Sequence, residues 1–531
     1  MKWATVFLAA GLCLLSATLV GDDQHHDQAL TAEELGTVNF PESCAPSTQA
    51  TFNRGVALLH SFEYDDARKA FQEVEKTDAR CAIAQWGIAM SLYHELWGKP
   101  DDKALKEGES ALKKAQSSPA ATAREREYIA ALNVFYSDWS KREHETRAAE
   151  YSQAMEKLYQ HYPEDREAAA FYALSLLASE SAHDTTFANR KKAVAILQKL
   201  FDQEPNHPGL AHYLIHTCDR PQLASLGLDA AQRYAKIAPG SPHALHMPSH
   251  IFARLGLWQD DIDSNLASIA ATRQMSAMHM RDAGHQFHAM DFLVYAYLQS
   301  GHEKEVERQI AELAQLKGVD EDELAYSQAK FPALLALELR RWQDAAALKP
   351  VKEAHRSINA FVYFARAVGE ARSGKVKSAD KDAREVERIH QELASANKKY
   401  EADDVQILAR EARAWALHAA KKDDEAIRVL RSAADEEDAE GPEQTSIPAR
   451  EMLADLLLEI NRPQEAMKEY QVSLAAYPNR FNGLYGAAQA AEKIGKSDDA
   501  GKYYAELVKS CEGSGSDRPE LAHARQLLAQ K

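Results

Sequence analysis

The feature that most constrains this chain is a period. Asn461 and Gly495, Ala466 and Ala500, and Tyr470 and Tyr504 each stand 34 residues apart, and Pro478 closes the first of the two units. Each unit reads as a turn, then a small residue, then an aromatic four residues on. The same grammar begins in "FNRGVALLHSFEYDDARKAFQEV", with Gly55, Tyr64, Ala67 and Phe71. It returns in "KKAVAILQKLFDQEPNHPG", with Ala193, Leu197 and Pro205. A unit this short cannot bury its own apolar face, so successive copies must stack. Apolar residues recur at helical spacing and no run reads as a strand, which makes the expected fold class all-α. A hydrophobic content of 45% and a charged content of 27% fit a folded array rather than a disordered chain. The net charge of -17, with no basic stripe, argues against binding to nucleic acid.

This grammar resembles the tetratricopeptide repeat (TPR) family, and "HMPSHIF" gives the chain the look of exported bacterial repeat proteins. The resemblance implies a right-handed α-solenoid of about a dozen TPR-like helix pairs, A then B, with one face of each A helix lining a concave groove. The expected boundaries are 1–21 signal peptide, 22–48 extended segment and 49–160 N-terminal repeats. They continue as 161–315 central repeats, 316–400 degenerate helical repeats, 401–515 C-terminal repeats and 516–531 tail. The signal reading rests on Lys2, the apolar stretch Ala4 to Val20, and small Gly21 before Asp22. It predicts an exported protein, periplasmic or extracellular, and no other segment is apolar enough to span a bilayer. A membrane anchor is the alternative reading of 1–21. Successive A helices start side by side in such a stack, so Cys44 and Cys81 are candidates for a disulfide fastening the N-terminal cap; two separate thiols are the alternative.

The period also sorts the histidines. His212 and His246 stand 34 apart, as do His216 and His250, so "HYLIH" and "HMPSH" occupy equivalent places on successive A helices. A longer step to the turn at Gly301 aligns His288, Asp291 and Tyr295 with His243, His246 and His250. At about 100° per residue, each of these sets shares one helix face, as do His212, His216 and Asp219. Pro248 is expected in the first turns of its helix, where a missing N–H matters least. Three rows would then converge in the groove: His212, His216 and Asp219; His243, His246 and His250; His288, Asp291 and Tyr295.

A cluster of neutral imidazoles suits a transition metal, and its size exceeds one tetrahedral zinc, so two ions fit the count. Asp219 and Asp291 would ligate or orient a histidine. Met275, Met278, Met280 and Met290, with His279 and His285 among them, tilt the choice to copper over zinc or iron, because thioether selects Cu(I). Core packing is the plain alternative for these methionines. Cys218 borders Asp219 and is either a thiolate ligand or an inert buried thiol. Copper would suit oxidation of a small organic substrate, and zinc hydrolysis, with Tyr295 or Asp219 as candidate proton carriers. Storage or delivery of metal is the non-catalytic form of the same reading. The competing reading is a scaffold that binds peptide or protein partners in the groove, its imidazoles taking a peptide carboxylate or sensing pH. No nucleotide loop, GxSxG elbow, HExxH or CxxC motif is present.

Overall fold

The computed structural model describes residues 30–530 apart from 97, 182–183, 278–282, 317–318, 397 and 442–443. The leader-like residues 1–21 therefore lie outside the described residues, as do the side chains of Met275, Met278, His279, Met280 and His285. Among the described residues there is no strand, and no helix is long and apolar enough to cross a membrane.

Antiparallel helix pairs follow one another from Gln49–His60 with Tyr64–Thr77 to Phe481–Lys493 with Ser497–Ser510, and the helix Pro519–Ala529 ends the array. Counting a split helix as one arm, the described helices make twelve pairs. The local causes are those the period implies. The turn position shared by Asn461 and Gly495 is left-handed in both, with φ of 62° and 76°. Gly256 and Gly301 do the same at the turns beside the histidines, with φ of 64° and 76°. The small and aromatic positions interlock: Ala67 and Phe71 are fully buried. A Cβ added at Gly55 would lie 2.8 Å from the Phe71 ring, so only glycine lets that aromatic sit between the two helices. Cys44 and Cys81 are joined in a disulfide, with Cα atoms 5.0 Å apart.

Two departures from a simple stack position the site. The solenoid is wound tightly enough that its beginning meets its middle. His60, at the end of the first A helix, bonds Tyr213 and Glu167, from the fifth and fourth pairs. The Thr37 N–H donates to the Asn206 carbonyl. The end of the chain also returns to the middle. Trp258 Nε1 donates to the Asn479 carbonyl at 2.9 Å, and Asn479 Nδ2 to the Gly256 carbonyl at 3.1 Å. Arg480, with no exposed side-chain surface, binds Glu338 and Glu451 at 2.8 Å and donates to the Tyr295 hydroxyl at 2.5 Å.

Candidate metal centre

The "HALHMPSH" stretch is two helices, not one. Ser241 caps the first, Pro242–His246, by accepting from the Ala244 N–H at 3.2 Å. The chain breaks at Met247, and Pro248 is the first residue of the second, Pro248–Leu255. Pro248 thus sits where its missing N–H costs least, but the A helix it occupies is interrupted. The histidine row divides elsewhere, between His243 and His246, which share the first helix. The helix Pro208–Cys218 carries His212 and His216, and the helix Ala283–Gln299 carries His288. Ring nitrogens gather as two trios: His212, His216 and His243, then His246, His250 and His288. Within each trio, one nitrogen per residue lies within 4.8 Å of the others. His243 therefore joins the preceding helix, and His246 and His250 the following one. The two trios adjoin, with ring centroids 6.4 Å apart for His243 and His246 and 6.3 Å for His216 and His250.

Each trio backs onto one phenylalanine. The Phe62 ring lies 4.3, 5.4 and 5.7 Å from those of His212, His216 and His243. The Phe292 ring lies 5.0, 4.6 and 5.4 Å from those of His246, His250 and His288. His212, His243 and His246 are buried, His216 and His250 half-buried, and His288 is exposed.

Hydrogen bonds settle which nitrogen carries the proton. His212 Nδ1 is 2.6 Å from the His60 carbonyl, which can only accept, so Nδ1 is the donor and Nε2 is bare in the neutral ring. Asn265 directs its amide nitrogen at Asp261, to the carboxylate at 2.6 Å and the carbonyl at 3.0 Å. That leaves its Oδ1 to accept from His246 Nδ1 at 2.7 Å. Asp219 Oδ2 accepts from His250 Nδ1 at 2.9 Å. The Nε2 atoms of His246 and His250 then face each other at 3.1 Å. His212 Nε2 stands 3.0 Å from His243 Nε2. His216 Nε2 is shielded from solvent and has no hydrogen-bond partner among the described residues. Two lone pairs at such a distance repel unless a proton or a metal cation lies between them. Burial strongly opposes protonation of His212, holding its pKa at about 3, and does the same to His216, with the neighbouring His212 and His250 adding to it. His212, His246 and His250 thus have Nδ1 anchored and Nε2 turned to a neighbouring imidazole, an arrangement of nitrogen donors that fits a transition metal.

Asp219 sits behind the histidines. Its second oxygen accepts from Arg254 Nε at 2.9 Å and from Gln444 Nε2. Burial pushes its carboxyl up, and Arg254 and the His250 hydrogen bond override that to hold it well below the usual carboxylate range. Asp291, one turn beyond His288, accepts from Lys330 and Thr445 at 2.8 Å each. Neither carboxylate is in the two trios. Tyr295 is buried among Trp258 and Arg480, and burial raises its hydroxyl pKa far above the ordinary value. Burial pushes the Cys218 thiol up to about 12, keeping it protonated. Met290 is buried in the apolar core around Phe292.

A third cluster, His60, Glu167 and His207, is fully buried. The Glu167 oxygens take His60 Nε2 at 2.8 Å and His207 Nε2 at 3.0 Å. The remaining ring nitrogens meet the Tyr213 hydroxyl and the Leu210 N–H. Every polar atom there has a partner without an ion, and the cluster steadies the carbonyl that anchors His212. Sequence periodicity points to the six imidazoles but not to Phe62, Asn265 or Gln444. Phe62 stands at the left-handed turn position of its repeat and Asn265 at the place Tyr470 and Tyr504 hold in theirs, but neither has the residue type the period marks there, and Gln444 lies on a distant loop.

A scan against known protein families finds no match for this chain, and a search of curated proteins finds no relative. Solved helical-repeat structures are similar at low identity. The human IFIT1 dimer with m7Gppp-AAAA is 13% identical over 81% of this chain and 90% of that chain, with a TM-score of 0.35. The P58(IPK) TPR domain is 13% identical over 91% of this chain and 99% of that chain, with a TM-score of 0.20. The all-α solenoid rests on the helix pairs themselves and not on that likeness.

Proposed function

We propose that this protein is an exported metalloprotein with a dinuclear transition-metal centre, one ion for each histidine trio, and that copper is its metal. One observation carries the reading: His246 and His250 turn their Nε2 atoms on each other at 3.1 Å, with Asn265 and Asp219 holding the opposite nitrogens. Both trios are nitrogen-only, which suits copper or zinc better than iron or manganese. A pair of copper ions held by the two trios would carry electrons from an organic substrate to dioxygen, so oxidation of a small organic molecule is the reaction class we assign. Of the six rings only His288 is exposed. An approach this narrow suits a small molecule better than a peptide strand lying along a groove. Burial keeps His212 and His216 neutral, and the His60 carbonyl, Asn265 and Asp219 orient the rings of His212, His246 and His250. The Cys44–Cys81 disulfide supports an oxidising compartment, as the leader-like 1–21 does.

Dioxygen uptake tests the reaction class. Copper-loaded and zinc-loaded protein are compared over a panel of phenols, amines and alcohols in an oxygen electrode. Uptake that needs both copper and one class of substrate is expected. Equal, background uptake by both forms would reduce the centre to storage or delivery of metal.

A further inference from the structure

The segment joining the tenth and eleventh helix pairs does more than connect Asp423–Glu440 to Ala449–Glu459. Its Gln444 side chain crosses to the central repeats. There Nε2 donates to Asp219 Oδ1 and, at 3.0 Å, to the His250 carbonyl. The next residue, Thr445, donates to Asp291 Oδ2 at 2.8 Å and accepts from Lys330 at 3.0 Å. Ile447 packs on the core that holds Phe292 and Tyr295. Two consecutive residues therefore hold both sides of the second trio. One side is the Asp219 that orients His250, and the other is the helix that carries His288.

We infer that Gln444 is a positioning residue for the second metal ion, so that this ion is bound tightly only when the C-terminal repeats have docked. The inference rests on the dinuclear reading above. Its physical content is a linkage. With Gln444 docked, the Asp219 carboxylate is held by three donors, His250 Nδ1, Arg254 Nε and Gln444 Nε2. Without Gln444 the carboxylate can rotate on its Arg254 contact, and the His250 ring loses its fixed orientation. The first trio has no such dependence, because His212 is anchored by the His60 carbonyl from the other end of the chain. Coupling of this kind is reciprocal: if docking favours the second ion, the second ion favours docking by the same factor.

Full-length protein, freed of any tag, is titrated with zinc(II) as a redox-silent probe and analysed for bound metal, as wild type, Gln444→Ala and Gln444→Asn. The expected result is two equivalents in wild type, with one affinity weakened about 10–100-fold in Gln444→Ala and the other unchanged. Gln444→Asn, which keeps the amide on a shorter arm, should fall between them. Hydrogen exchange on the wild-type protein gives a second readout that does not depend on the variant folding. Segment 444–448 should gain protection on zinc loading, by the same factor that the substitution costs. Two unchanged affinities in Gln444→Ala, or protection in 444–448 indifferent to zinc, would overturn the inference and leave the dinuclear reading standing. A wild-type protein that takes up no zinc or copper would overturn both.

Discussion

Asn265 decides which nitrogen of His246 carries the proton. Its amide nitrogen is committed to Asp261, so only its oxygen is left for the imidazole. Asn265→Leu removes that acceptor while keeping the side chain's volume and the helix. We expect this variant to fold with unchanged helicity and to bind one of its two ions about 10–100-fold more weakly, measured by competition with a chromophoric chelator. A second residue-scale effect lies away from the histidines. Burial, and then Asp382, raise the Glu370 carboxyl to about 7, against the opposing pull of Arg366 and Lys375. The folded state thus holds that proton more tightly than the unfolded state does. Stability contributed by the protonated form is present below the unfolded value, and it is lost as pH rises toward 7. Glu370→Gln should therefore raise the melting temperature by about 1–3 °C at pH 8 and leave it unchanged at pH 4, read by scanning calorimetry. An equal shift at both values would contradict the assignment.

Single elements show what a repeat can reveal and what it hides. The Cys44–Cys81 bridge closes a loop with a sequence separation of 37, which in the chain-entropy account contributes about 4 kcal/mol. Cys44→Ser with Cys81→Ser should loosen the first two helix pairs before the rest, seen as early proteolysis within residues 49–117 while the histidine helices stay protected. The turn glycines and the small-then-aromatic positions were legible because each repeats at the same offset and has one local cause: a left-handed residue at the turn, or a hole opposite a ring. Gly256, Gly301 and Gly495 take up the expected turns. The six imidazoles were legible on the same ground. Their grouping was not, because the period assigns His243, His246 and His250 to one row, whereas contact with the flanking helices splits that row, His243 meeting His212 and His216 while His246 and His250 meet His288. Pro248, expected within the first turns of a single helix, is the first residue of a second one. Phe62 and Asn265 fall on the turn and aromatic positions of their repeats with residue types the pattern does not mark, and Gln444 falls on none, because contact across the fold selects all three.

At the scale of the whole molecule the solenoid closes on itself, and a buried ion cluster ties the closure. Arg480 pairs with Glu338 and Glu451 and donates to Tyr295, with all three partners buried. Arg480→Met would leave two carboxylates buried without their cation. The expected cost is about 3–5 kcal/mol, with denaturant unfolding splitting into separate central and C-terminal transitions. One unchanged transition would mean that the late repeats do not depend on this contact. The closed form also explains why the centre is sheltered: residues from the first, fifth, sixth, seventh and late repeats all reach it. Metal held by the two trios is the central claim. The most direct measurement is elemental analysis of untagged protein, loaded with copper and dialysed, beside the His246→Ala, His250→Ala double variant. Two equivalents in the wild type and one in the variant are predicted. Well under one equivalent in the wild type, or the same content in both proteins, would contradict it.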